Sequence, residues 1–416
     1  MSTNNKKTAS RTFAKSVIEI WLWGGPSQLE TFDPKPDAPH DYNNGLKSIK
    51  TNAGFDVHEW LPELAKCADL YSVIRSLTHP FPGHETATYL MQTGRNPGGG
   101  VTFPALGALI SSSRVQDVKK KNSVMASMRY EGELPPFVIL THAKGRFSEV
   151  GFLGEAYAPL VTGGRASAKR FEVDGIVPPG GLTKDQLRAR FDRAARVDRL
   201  PPDDAFEAAG AAAREIILGK AAETFDLSRE KDQTRLRYGK SEIGQQLLAA
   251  RRLVEYGVPY ISINYSGWDS HKRHFESMKR PTAEMDQAVS ALLLDLKERN
   301  LLDSTIVWLS GEFGRVPKVD RQPPWNGGRN HFPRCFSALV AGGGFKGGCV
   351  VGESDATTDH VKNRPVTPQD FLGSIMELAG VDPDDRLPNP KWLREYGPVM
   401  SPSVKSPCGR LKEIYV

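Results

Sequence analysis

The sequence predicts an α/β fold: a doubly wound, mostly parallel sheet with helices on both faces, plus a helical insertion. Two observations carry this reading. Short apolar runs end at glycine or polar turns, as buried parallel strands do. Amphipathic helical segments alternate with those runs, which is the pattern of a sheet covered on both sides. The length, 416 residues, allows one large core with excursions.

The elements follow in order. Residues 1–16 are polar and basic. The run 17–23 is the first strand and ends at Gly24-Gly25-Pro26. It is seven residues long and carries Glu19, too short and interrupted for a signal-peptide core. Ser10-Arg11-Thr12-Phe13 has one arginine where a twin-arginine signal has two, so the expected location is the cytoplasm, with the periplasm as the alternative. Further strands are expected at 137–141, 260–265, 305–310 and 336–341. Residues about 165–256 are rich in Arg, Ala, Asp and Glu, with helical patterns at 182–196 and 205–225, and read as an insertion on the core. A helix is expected over 281–299, with Thr282 near its start and Met285, Val289, Leu292, Leu293 and Leu296 on one face. Thr367-Pro368-Gln369-Asp370 starts another, stopped by Gly380. The main domain spans 17–382, and a proline-containing tail follows over 383–416.

Composition narrows the function. Hydrophobic residues make up 39% and charged residues 25%, those of a soluble globular protein. No stretch nears the ~18 apolar residues of a membrane span. The net charge of +6 is spread along the chain, and the short run Lys119-Lys120-Lys121 reads as a solvated segment, so no nucleic-acid partner is expected. Cys67, Cys335, Cys349 and Cys408 form no Cys-x-x-Cys pair, which argues against a zinc ribbon and a disulfide framework.

In open α/β sheets, ligands bind beyond the carboxyl ends of the strands. Acids and histidines gather at those positions here: Glu30 and Asp33 after the first strand, Asp269 and His271 after the 260 strand, and Glu312 after the 305 strand. His331 lies in a glycine-rich loop, and His84 opens a helical pattern. Such oxygen and imidazole donors suit a divalent metal, whether zinc, calcium, magnesium or manganese. Arg315 and Arg329 are candidates to hold an anionic substrate group. Each residue also has a plainer reading: Asp269 as a helix cap, Glu312 in a tight turn paired with Arg315, His84 and His331 as hydrogen-bonded loop residues.

Four strings carry a resemblance: Gly24-Gly25-Pro26-Ser27-Gln28-Leu29-Glu30-Thr31-Phe32-Asp33-Pro34-Lys35-Pro36, Tyr89-Leu90-Met91-Gln92-Thr93-Gly94, Trp268-Asp269-Ser270-His271, and Gly311-Glu312-Phe313-Gly314-Arg315. Together they resemble the bacterial "domain of unknown function 1501", placed in the alkaline-phosphatase and sulfatase superfamily. The resemblance implies an alkaline-phosphatase-like core and hydrolysis of phosphate or sulfate esters at a metal site. It implies metal ligation by Asp269, His271, Glu312 and His331, with Asp33 or Glu30 in place of an acid missing after the first strand. It puts His84, as nucleophile or further ligand, where relatives carry a serine, threonine or modified cysteine. The alternative is a non-catalytic relative that binds a sulfated or acidic glycan.

Overall fold

The computed structural model describes residues 13–98, 100–115, 128–143, 149–167, 171, 173, 176, 182–197, 204–384 and 409–416. The first twelve residues, the Lys119-Lys120-Lys121 run, Cys408, parts of the 165–256 segment and most of the tail lie outside them.

An eight-stranded sheet forms the centre. Its strands are β1 (Ser16–Trp23), β2 (Tyr71–Leu77), β3 (Phe137–Leu140), β4 (Leu160–Val161), β5 (Tyr260–Ser266), β6 (Thr305–Ser310), β9 (Phe336–Ala341) and β10 (Val350–Val351). A separate short hairpin consists of β7 (Gly314–Arg315) and β8 (His331–Phe332). The sheet order is β10-β2-β9-β6-β1-β5-β3-β4. Only β9 runs antiparallel to its neighbours. The expected doubly wound, mostly parallel sheet is therefore present.

The β1 sequence shows why both faces are covered. Its side chains alternate across the sheet, and both sets are apolar apart from the buried Ser16 and Glu19. Ile18, Ile20 and Leu22 join one core cluster; Val17 and Trp21 join the other. The helices are α1 (His84–Thr93), α2 (Leu106–Val115), α3 (Lys184–Val197), α4 (Asp204–Leu218), α5 (Glu242–Tyr256), α6 (His274–Glu298) and α7 (Pro368–Leu378), with a few shorter turns. Leu247 and Leu253 of α5 and Met285 and Leu292 of α6 pack with the Ile18 set. Met91 of α1, Leu109 of α2 and Ile375 of α7 pack with the Trp21 set.

Three sequence expectations change. Helix α6 begins at His274, and Pro281 lies inside it. Its first two turns are held by tertiary contacts, since His274 and Met278 are buried, and these outweigh the bond a proline removes. The segment expected to be one helix over 205–225 is broken after Leu218, where Gly219 separates α4 from the short helix Ala221–Thr224. Asp269 does not cap a helix, because the α6 cap position is Arg273. The α7 start is as expected: Thr367 and Asp370 form a reciprocal capping box with Pro368 in the first turn. Among the described residues no helix is long and apolar enough to cross a membrane.

Candidate metal centre

The three central strands β6, β1 and β5 are parallel and end at one level. Trp21 pairs with Ser310, and Trp23 with Ser266. The loops that follow must therefore meet beyond the same sheet edge. Gly24 follows β1, Asp269 follows β5 and Glu312 follows β6. Trp268 N–H donates to Trp23 O at 3.2 Å, and Gly24 N–H donates to Glu312 Oε1 at 3.0 Å. Only glycine fits at 24: its φ is +112°, and a Cβ there would lie 2.3 Å from Asp269 N.

Two further elements complete the cluster. Helix α1 puts His84 at its first turn. The β7–β8 hairpin sets His331 opposite Arg315. His84, Asp269 and His331 each offer a donor atom, and these atoms lie within 4.8 Å of one another. His271 joins them: its Nε2 is 3.0 Å from Asp269 Oδ1 and 3.0 Å from His331 Nε2. His331 Nε2 is 3.1 Å from Asp269 Oδ1, and His84 Nε2 is 3.4 Å from Asp269 Oδ2. Asp269 is the most open of the set, with 41% of its side chain exposed, so solvent reaches the cluster.

The three imidazoles share one arrangement. Each ring uses Nδ1 for a protein acceptor and turns Nε2 toward Asp269. His84 Nδ1 meets Glu312 Oε1 at 2.6 Å, His271 Nδ1 meets Asn330 Oδ1 at 2.8 Å, and His331 Nδ1 meets Pro82 O at 2.7 Å. With Nδ1–H donating, both Nε2 atoms of His271 and His331 present lone pairs, and they face each other at 3.0 Å. At that spacing the two nitrogens either share a proton, as an N–H···N bond, or turn both lone pairs to one cation. Tetrahedral ligands at ~2.0–2.1 Å from one ion lie about 3.3 Å apart, close to these separations. Glu312 adds a second sign of fit: it is fully buried, and its Oε2 has no hydrogen-bond partner.

The surroundings tune these groups. Burial raises the Asp269 carboxyl, but His331, His84 and Arg315 outweigh it and hold the group well below the usual carboxylate range. Hydrogen bonds to Asp269 and Glu312 push the His84 imidazole from 6.5 up to about 9. That proton stabilises the metal-free fold fully below pH 6.5, and the contribution is lost as pH rises through about 9. Chelator-stripped protein is expected to show a Tm that falls across this window, and His84→Gln is expected to flatten the slope. Thermal scans against pH check both.

The remaining expected residues lie elsewhere. Asp33 is buried away from the cluster, where Ser354, Lys35 (3.0 Å) and Arg75 (3.5 Å) hold it. Glu30 spends its two oxygens on Arg329 and His274. Glu312 belongs to the cluster through His84, with one oxygen already committed to that ring and to Gly24 N–H. Arg315 and Arg329 are not substrate-facing. Arg315 is fully buried and donates to Gly24 O, Gly25 O, Arg329 O and Asp269. Arg329 donates to Val316 O, Pro317 O, Tyr42 O and Glu30. Each guanidinium matches several carbonyls that only burial brings together, and the sequence does not display that burial.

Sequence reasoning passed over His79, Asn330 and Ser270. His79 is buried, and its Nε2 meets Glu312 O at 2.6 Å; burial pushes its imidazole down to about 4, so it is neutral. Nothing near it in the sequence marks this role. Asn330 had a signal, since it directly precedes His331 in a loop already singled out. Aromatic rings wall the cluster: Phe313 stacks on His331 at 4.4 Å, and Trp23 stacks on His84 at 6.0 Å.

Solved structures with some similarity include the PsFucS1 sulfatase from Pseudoalteromonas sp., at 13% identity and TM-score 0.40, covering 89% of this chain and 68% of that one. An alkaline phosphatase from the Antarctic bacterium TAB5 matches at 11% identity and TM-score 0.39, covering 89% and 99%. The lipoteichoic acid synthase LtaP from Listeria monocytogenes matches at 9% and 0.37, covering 89% and 73%. At these scores the chemistry has to be read from this chain's own residues. No curated protein matches the sequence. The family described as protein of unknown function (DUF1501) matches residues 14–391, nearly the whole length, and the chain belongs to that family.

Proposed function

We propose that the chain is a metal-dependent hydrolase of phosphate or sulfate esters, with Asp269, His271, His331 and His84 holding the ion. The observation that carries the reading is the convergence of three Nδ1-anchored imidazoles on one carboxylate. Ligating histidines are held in this way, with the distal nitrogen donating to a carboxylate or carbonyl. Three nitrogen donors and one oxygen donor suit zinc better than calcium or magnesium, which prefer oxygen. A bound divalent ion supplies polarisation of the ester oxygen and a lower pKa for water.

The chain's own residues do the rest. Glu312 orients His84, Pro82 O orients His331, and Asn330 orients His271. Arg315 fixes Asp269 through Oδ1, the oxygen that His271 and His331 also approach. No side chain caps the start of α1, and the positive end of its dipole favours an anionic ester group beside His84. His84 is thus drawn as a ligand held by Glu312, in preference to a nucleophile.

The test joins metal analysis of protein purified without chelator to a panel of aryl phosphates and aryl sulfates. About one divalent ion per chain, with turnover that a chelator abolishes and zinc restores, is expected. No metal uptake would sink the site. Position 84 carries a histidine and no hydroxyl or thiol nucleophile, and this favours a second reading, binding of an acidic or sulfated glycan without turnover. One bound ion with no turnover across the panel would favour that reading.

A further inference from the structure

Beneath the cluster runs a second series of polar groups, all buried. Glu30 is 2% exposed, His274 0% and Arg329 1%. Glu30 Oε1 accepts from Arg329 Nη2 at 2.7 Å, and Glu30 Oε2 meets His274 Nε2 at 2.8 Å. His274 Nδ1 meets the Ser270 hydroxyl at 2.5 Å. Directions follow from chemistry. The carboxylate only accepts, so His274 donates from Nε2, its Nδ1 accepts, and the Ser270 hydroxyl donates. Burial drives His274 toward the neutral form, which suits that tautomer.

Serine, histidine and glutamate in this order form a nucleophile–base–orienter series in many hydrolases. Burial speaks against that role here. Ser270 is 5% exposed and His274 fully enclosed, so an ester has no path to the hydroxyl.

What the series joins are the two loops that carry the cluster. Ser270 sits between Asp269 and His271, and Arg329 sits two residues before His331. Backbone bonds lace the same loops: Arg329 N–H to Ser270 O at 3.2 Å, His274 N–H to Gly327 O at 3.1 Å, and Arg273 N–H to Trp325 O at 3.1 Å. Gly328 permits the close approach, since a Cβ there would lie 1.8 Å from His271 O.

We infer that Glu30 is a positioning residue that gives one carboxylate oxygen to each loop, and so sets the spacing of His271 and His331. The inference rests on the metal reading above. Through Oε2 it holds His274 and Ser270, hence Asp269 and His271. Through Oε1 it holds Arg329, hence His331. Glu30→Gln keeps the shape but replaces one accepting oxygen with a donor, which opposes either Arg329 or His274. Ser270→Ala cuts only the outer link.

The experiment measures zinc affinity by competition with a chromophoric chelator, the absorption of the cobalt-substituted protein, and the Tm of the metal-free protein, for wild type and both variants. Zinc affinity is expected to fall by about tenfold or more in each variant, as for other partners that orient metal ligands. The cobalt bands are expected to change in folded Ser270→Ala, which a purely structural role would not produce. If Glu30→Gln does not fold, Ser270→Ala decides. Wild-type affinity and unchanged cobalt bands in folded variants would overturn the inference. So would labelling of Ser270 in the wild type by a serine-directed fluorophosphonate. Wild-type protein that takes up no zinc would overturn the metal reading itself, and the inference with it.

Discussion

Asp269→Asn is expected to lower the divalent metal content of purified protein to below about a tenth of wild type, and ester turnover by about 10³-fold or more, equivalent to about 4 kcal/mol. The carboxylate is the point on which three rings converge, through Oδ1 to His271 and His331 and through Oδ2 to His84. Asparagine keeps the shape and loses the charge, and its amide N–H₂ points a donor at a place built for a cation. The buried Arg315 guanidinium also loses its counter-charge. Elemental analysis and circular dichroism on the same sample separate site loss from unfolding. Wild-type metal content in a folded Asp269→Asn protein would remove this carboxylate from the site.

The largest expected loss of stability follows Arg315→Ala, at about 3–5 kcal/mol. The side chain is fully buried and serves three carbonyls besides Asp269. Alanine leaves Gly24 O, Gly25 O and Arg329 O without that donor, at about 1–3 kcal/mol for each one that stays dry, and adds a cavity term. Lysine is expected to recover little, because one ammonium cannot span the fork of acceptors. Urea unfolding of the chelator-stripped variants measures this. A substrate-holding arginine would behave in the opposite way, with stability unchanged and KM raised.

The contrast between these residues shows what the sequence made legible. The run 305–310 followed by Gly311-Glu312, and the run 260–265 followed by Trp268-Asp269, marked strand ends, and parallel strands place such ends along one edge. Asp269, His271, Glu312 and His331 are accordingly brought together, with His84 beside them. The strand pattern carried that information because the apolar alternation is local. Burial of a cation is not local. Arg315 and Arg329 look like anion-holding residues in a glycine-rich loop, and only the folded chain supplies the carbonyls of Gly24, Gly25, Val316 and Tyr42 that occupy them. Asp33 was misplaced for the same reason, since Lys35 is near it in sequence but Arg75 and Ser354 are not. The early start of α6 escaped because Pro281 is a strong local signal, whereas the anchoring of His274 depends on Glu30, 244 residues away.

The buried Arg315 also bears on the charge of the site. The carboxylates of Asp269 and Glu312 face one fixed guanidinium and one imidazole, His84, that holds its proton up to about pH 9. On the metal reading proposed above, that proton is a placeholder: a divalent ion displacing it would bring one more positive charge to the cleft than the proton did, and a monovalent ion would bring none, so the fixed guanidinium beside it helps decide which cation would make the cleft attract anions.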